Sequence, residues 1–265
     1  MRDLAGRSVL LTGASSGIGP HIARRLHGEG ARLILSARNV KALKALAREL
    51  AGARVIPADL SLKGEAERLA SEAGEVDVLV ANAGVPAPGR LESFAVDEID
   101  RAIDVNLRAP IMLARCLVPG MLERRLGHLV FMASVAGKLP MPGYPLYSAT
   151  KFALRGFAHV LRGDLHGSGV GVSVISPTFV SEAGMWAETG LKAPAVAGEV
   201  PPSRVADAVV SAIKEDRAEI VVAPLTARFG ALVGGVMPDL AITVARASGA
   251  ARQSGHAVEQ QRHKR

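Results

Sequence analysis

Cysteine is almost absent from this 265-residue chain, with Cys116 alone. One thiol can form neither an internal disulfide nor a cysteine-based zinc site. Aromatic residues make up only 3% of the chain, too few for the stacked platforms that hold nucleic-acid bases. No window reaches about 18 consecutive apolar residues, the length needed to cross a membrane. The nearest candidate, Phe229 to Val244, is broken by Pro238 and Asp239. No secretory signal is visible, because Asp3 and Arg7 flank only a short apolar run. The seven histidines lack a paired spacing such as H-E-x-x-H, so no metal site is expected. These absences point to a soluble protein of a reducing cytoplasm.

Aliphatic residues are plentiful: 49% of the chain is hydrophobic and 22% charged. A chain of this length and composition buries a large core without a disulfide or metal staple, and is not disordered. We expect one α/β domain over residues 1–247 and a basic tail over 248–265, the latter disordered. The tail holds Arg252, Arg262, Lys264 and Arg265 against Glu259, part of a net charge of +7. Elsewhere no run of five like charges occurs, which reads as a solvated surface and not a nucleic-acid face.

Short aliphatic runs alternate with amphipathic segments. Strands are predicted at 8–12, 32–36, 54–58, 76–80, 128–133, 170–175 and 219–223. Helices are predicted at 17–28, 40–50, 62–73, 147–166 and 203–215. Residues 97–125 read as one long helix, interrupted at Pro110 or Pro119. Residues 176–202 read as an irregular insertion, and 224–247 as one or two helices. The alternation predicts a doubly wound parallel β-sheet of Rossmann type, covered by helices on both faces as a three-layer sandwich. Cys116, near Met112 and Leu113 in the long helix, reads as a buried structural thiol.

Thr12-Gly13-Ala14-Ser15-Ser16-Gly17-Ile18-Gly19 follows the first strand and opens the first helix. Glycines there permit a tight turn and close approach to a diphosphate, while the helix start offers free N–H groups. Pro20 in the first helical turn costs little. Tyr147 and Lys151 are four apart on a predicted helix and share one face. An ammonium near a phenol lowers its pKa toward the working range, which suits a proton donor and acceptor. Taken alone, Tyr147 could be a core aromatic and Lys151 a solvated residue.

The T-G-x-x-x-G-I-G spacing resembles the short-chain dehydrogenase/reductase family. Other residues match that family in order: Asp59-Leu60 after the third strand, Asn82-Ala83-Gly84 after the fourth, Asn106, Ser134, and the Y-x-x-x-K of Tyr147 to Lys151. The resemblance covers residues 8–180. It implies hydride transfer between a nicotinamide dinucleotide and a carbonyl or secondary alcohol. Tyr147 would be the general acid/base, Lys151 would also bind the ribose, Ser134 would hold the substrate oxygen and Asn106 would fix a relay water. Thr12, Gly13, Ser15, Ser16, Gly17, Ile18, Gly19, Asp59, Leu60, Asn82, Ala83, Gly84, Tyr147, Lys151, Pro177 and Val180 would contact the cofactor. A homotetramer or dimer would use the helices bearing Asn106 and Tyr147.

No acid ends the second strand, and Arg38 follows it, which favours NADP(H) over NAD(H). After the sixth strand the chain departs from the family. Thr178 replaces a glycine, and Glu182 stands where a threonine holds the carboxamide, so Ser181 is the substitute considered. Leu139, Met141, Tyr144, Met185, Trp186, Leu191 and Pro194 suggest an apolar small-molecule pocket, or packing against neighbouring helices. Arg124 and Arg125 are solvated charges or a landing site for an acidic acyl-carrier partner. The 224–247 stretch reads as core or subunit contact, with lipid contact less favoured because Arg228, Asp239 and Arg246 break it. Two other readings stay open: a 3-oxoacyl-carrier-protein-type reductase, and a non-catalytic NADP-binding regulator.

Overall fold

The computed structural model describes residues 1, 3–193, 197–237, 239 and 242–243. The predicted tail over 248–265, and Pro194, lie outside them. Seven parallel strands form the central sheet: β1 (Ser8–Thr12), β2 (Arg32–Ser36), β3 (Arg54–Val55), β4 (Val78–Ala81), β5 (Gly127–Met132), β6 (Val170–Pro177) and β9 (Glu219–Val222). Their order is β3-β2-β1-β4-β5-β6-β9, with every neighbouring pair parallel. The chain reverses its direction of winding between β1 and β4, which opens a crevice at the strands' C-terminal ends.

Helices α1 (Gly19–Gly28), α2 (Val40–Glu49) and α7 (Pro202–Glu215) cover one face. Helices α3 (Glu65–Ala73), α5 (Ala109–Glu123) and α6 (Pro145–Asp164) cover the other. Strand residues such as Val9, Leu10 and Leu11 are wholly buried, because both faces need apolar cover. Helix α2 shows the local logic. Leu43, Leu46 and Ala47 form its buried stripe, and the Asn39 side chain accepts from the Ala42 N–H at 3.0 Å to start it.

The predicted long helix is one helical run with a defect. After α4 (Val96–Ile103), residues Asp104–Arg108 make a π-turn before α5 continues. The defect falls just before Pro110. That proline cannot donate to the Asn106 carbonyl, so the regular ladder fails there. Pro119 is carried inside α5. This run, Val96–Glu123, is long and apolar enough to cross a membrane by composition, but it packs within the helical layer.

Three predicted strands are shorter in the structure, the fourth and the last by one residue each and the third most of all, since it keeps only Arg54 and Val55. The 176–202 segment is less irregular than predicted. β7 (Phe179–Val180) and β8 (Glu199–Val200) pair in parallel as a small second sheet. Helix α8 (Leu225–Val236) follows β9.

Candidate active site

Gly13 and Gly17 take φ values of +66° and +57° between β1 and α1, a backbone that favours glycine. A Cβ on Gly13 would lie 2.8 Å from the Cα of Ala83. The exits of β1 and β4 therefore close together only over a glycine. Thr12 and Asn82 lock them. Thr12 Oγ1 accepts from the N–H groups of Asn82 and Ala83, each at 3.1 Å. Asn82 Nδ2 donates to the carbonyls of Thr12 and Gly13 at 3.1 and 3.2 Å. The N–H groups of Gly17 and Ile18 have no acceptor among the described residues. With the positive end of α1 behind them, they fit an anionic diphosphate.

A cavity of about 480 Å³ runs from this loop along the strand ends. Of the residues predicted to hold cofactor, Gly13, Ser16, Gly17, Ile18, Arg38, Asn82, Ala83, Gly84, Pro177 and Val180 line it, with Ser134, Tyr147 and Lys151. Thr12, Ser15 and Gly19 do not. Thr12 instead braces the wall. Asp59 and Leu60 are also outside the lining. The Asp59 carboxylate accepts from the Ser61 N–H and hydroxyl at 3.1 and 2.7 Å, and Leu60 is packed in the core.

Ser134 caps a short turn, Val135–Gly137, by accepting from the Ala136 N–H at 3.1 Å. Its hydroxyl donates to the Pro177 carbonyl at 3.4 Å and is bonded to the Tyr147 hydroxyl. Burial pushes the Tyr147 phenol up, and the Ser134 bond opposes that. Lys151 Nζ donates to the Met132 carbonyl at 2.8 Å and lies 5.5 Å from the Tyr147 ring centre. Burial brings the Lys151 ammonium down to about 8. For the Tyr147 phenol burial is the larger influence, and the opposing one comes from Ser134.

Asn106 sits inside the π-turn, fully buried, and its side chain is saturated. Oδ1 accepts from the Val85 N–H at 2.8 Å, and Nδ2 donates to the Val85 carbonyl at 2.9 Å and to Thr150 Oγ1 at 3.3 Å. A Cβ on Gly84 would lie 3.1 Å from Asn106 Oδ1 and 3.7 Å from Lys151 Nζ, so these groups converge on one point. A Cβ on Gly137 would lie 2.7 Å from the Lys151 carbonyl oxygen. The turn bearing Ser134 therefore sits flush on α6.

Glu219, at the start of β9, ties these elements from behind. It accepts from Lys138 at 2.9 Å, Arg155 at 3.1 Å and Ser176 at 2.9 Å, and His159 Nε2 lies 3.4 Å away. Burial raises its carboxyl, but those donors outweigh it and hold it down to about 2. Nothing in the sequence pattern marks this residue.

One wall of the cavity is apolar. Met141, Tyr144, Phe179, Met185 and Trp186 line the cavity, and the Phe179 and Trp186 rings stand 4.3 Å apart. Burial drives the Tyr144 phenol up to about 12. Leu191 packs behind Trp186, and Leu139 does not line the cavity. Phe179 was not singled out in the sequence. Ser181 does not line the cavity, and its hydroxyl donates to the Val200 carbonyl at 3.3 Å. Glu182, with φ +63°, is exposed. Arg124 and Arg125 precede β5 and so stand at the opposite end of the sheet. Arg124 pairs with Glu75 at 3.5 Å, and Arg125 donates to the Gly167 carbonyl at 3.1 Å. Cys116 is half-buried. Among the described residues no group of three His, Cys, Asp or Glu is placed to hold a metal.

Known proteins share this arrangement. The family described as short chain dehydrogenase matches residues 7–193. Ketoacyl reductase HetN of Nostoc sp. is 38% identical over 230 residues, 84% of this chain and 80% of that protein. Dehydrogenase/reductase SDR family member 7B of Mus musculus is 38% identical over 184 residues, 65% of this chain but 57% of the mouse protein. A metagenomic short-chain oxidoreductase solved with NADP superposes with TM-score 0.69 at 34% identity, covering 83% of this chain and 97% of its own. Actinorhodin polyketide ketoreductase with NADPH gives 0.76 at 29% identity, covering 86% and 99%. With its nucleotide loop, its Ser134–Tyr147–Lys151 wall and these relatives, the chain belongs to the short-chain dehydrogenase/reductase family and is an oxidoreductase acting between CH–OH and C=O groups.

Proposed function

We propose that the chain catalyses NADP(H)-dependent reduction of an apolar carbonyl compound, and its reversal. The carrying observation is one cavity that joins the glycine loop and Arg38 to Ser134, Tyr147 and Lys151. The bound dinucleotide would supply or accept hydride at its nicotinamide. Arg38 would take the 2′-phosphate: it makes no ion pair among the described residues, and no acid stands beside it at the end of β2. Solved relatives titled with NADP or NADPH support that choice.

Ser134 would hold the substrate oxygen while Tyr147 gives it a proton. Burial favours this role, because it keeps the phenol protonated. Lys151 would orient the ribose and refill the proton. The Asn106 side chain is fully engaged, so its main-chain carbonyl, which Pro110 cannot satisfy, is the acceptor left for a relay water. A 3-oxoacyl thioester falls within this substrate class, and the relatives named ketoacyl reductase and polyketide ketoreductase support it. A carrier protein would have to dock away from Arg124 and Arg125. A cytoplasmic homo-oligomer belongs to the same reading. Phe152 and Val160 on α6 and Leu122 on α5 are exposed apolar residues suited to a subunit contact.

Absorbance at 340 nm tests this, with NADPH and NADH, ketones, diketones and 3-oxoacyl thioesters, beside Tyr147→Phe. NADPH oxidation that disappears in the variant supports the reading. Tight NADPH binding without turnover on any substrate would favour a non-catalytic regulator. No nucleotide binding would overturn both.

A further inference from the structure

Helix α8 turns its apolar side outward. Its buried residues are small, Ala231 and Gly234. Leu225, Phe229, Leu232 and Val236 are 78%, 69%, 66% and 77% exposed. Their spacing places them in one stripe, opposite the packed face. Arg228, the helix's sole charged residue, flanks the stripe and is exposed. Over Leu225–Val236 the core placement considered for 224–247 therefore does not hold. A contiguous apolar stripe of this kind marks an interaction surface.

The helix lies at the catalytic end of the sheet, since it leaves the C-terminal end of β9. Pro224 at its start packs on Gly198, where a Cβ would lie 2.7 Å from Pro224 Cγ. Near its end, a Cβ on Gly235 would lie 3.4 Å from the Lys138 carbonyl, just past the turn bearing Ser134.

Charge identifies the occupant. From residue 225 to 265 the sequence holds Arg228, Arg246, Arg252, Arg262, Lys264 and Arg265 against Asp239 and Glu259. More than half of the chain's net charge of +7 is carried there. We propose that α8 docks on the surface of an anionic lipid bilayer, with its stripe among the acyl chains and Arg228 beside the headgroup phosphates, the net positive charge of the sequence after it adding attraction. A second copy is the poorer occupant, because pairing two such segments sets like charges together. Docking in this way brings the catalytic end of the sheet to the bilayer, where apolar carbonyl compounds dissolve.

Co-sedimentation of the full chain with vesicles tests the proposal. One vesicle set is phosphatidylglycerol with phosphatidylcholine in equal parts, the other phosphatidylcholine alone. The wild type is expected to pellet with the anionic set, less so at high salt. The double variant Phe229→Ser/Leu232→Ser is expected to lose binding by about tenfold or more, the equivalent of about 1.4 kcal/mol. Circular dichroism confirms its fold, and Phe229→Asp alone serves if that fold is lost. No pelleting of the wild type, or equal pelleting of the variants, overturns the proposal. So does gel filtration in which the substitutions split a dimer that shows no lipid binding. NADPH turnover is read separately without vesicles, so failure of the proposed chemistry is distinguishable.

Discussion

Lys151 donates from its buried Nζ to the Met132 main-chain oxygen at 2.8 Å, and burial holds its ammonium down to about 8. Between there and the ordinary 10.5, the unfolded chain binds a proton that the folded chain releases. Stability therefore rises with pH across that window, and below pH 8 the full cost of the buried charge is present. Lys151→Met is expected to be inactive yet more stable than wild type at pH 7, by about 1–3 kcal/mol. Urea unfolding at pH 7 and 10 checks this, and the gap should shrink at the higher pH.

Arg38 sets the expected cofactor choice. Arg38→Asp removes the phosphate partner and places an acid where ribose hydroxyls would sit. The ratio of kcat/KM for NADPH over NADH should fall by about 10- to 100-fold, from loss of a charge-assisted contact of about 1.5–3 kcal/mol. An unchanged ratio would assign selection to other residues.

Asn106→Ala strands the Val85 N–H and carbonyl without partners in a buried site. Unfolding free energy should drop by about 2–4 kcal/mol. Asn106→Asp keeps the acceptor for Val85 N–H and should recover part of the loss. Denaturant titration of both variants measures it.

Glu219→Gln removes the charge that Lys138 and Arg155 share. The elements that carry Ser134, Tyr147 and Pro177 lose their common anchor. The expected result is a loss of about 1–3 kcal/mol in stability with kcat reduced and nucleotide affinity kept. Steady-state kinetics beside nucleotide titration separate those effects.

His128 is buried, with Nε2 2.8 Å from Ser173 Oγ, and burial lowers its pKa to about 4. The unfolded chain protonates near the ordinary 6.5, while the folded chain does not. Stability should therefore decline as pH falls from about 6.5 to about 4 and lose no more through this group below that, a total of up to about 3 kcal/mol. Melting temperatures of wild type and His128→Gln across this range are the check. The variant should show a flatter profile.

The repeating strand and helix pattern was legible because strands buried on both faces must be aliphatic, as Val78 to Ala81 are. That Ser134, Tyr147 and Lys151 share one cavity was legible from the ordered family motifs, because spacing alone put only Tyr147 and Lys151 on one helical face. Pro110 marked an interruption of the long helix, but periodicity could not give its form, a π-turn from which Asn106 reaches Val85 across the fold. Asp59 matched a motif, yet a local turn with Ser61 engages its carboxylate. Glu219 lies 43 residues from Ser176 in sequence, and only the pairing of β6 with β9 brings them together.

The contact between Gly137 and Lys151 divides the cavity into two kinds of wall. Any side chain at 137 would collide with the backbone of α6, so the wall that carries Ser134, Tyr147 and Lys151 is locked to one shape. The other wall, from Phe179 to Trp186, is held by a two-residue strand pair, by the Ser181 hydroxyl on the Val200 carbonyl, by the Trp186 Nε1–H donated to Glu199 at 3.3 Å and by aromatic contact. On the function proposed above, exchange of that segment would diversify what the enzyme accepts while its acid–base chemistry is inherited unchanged.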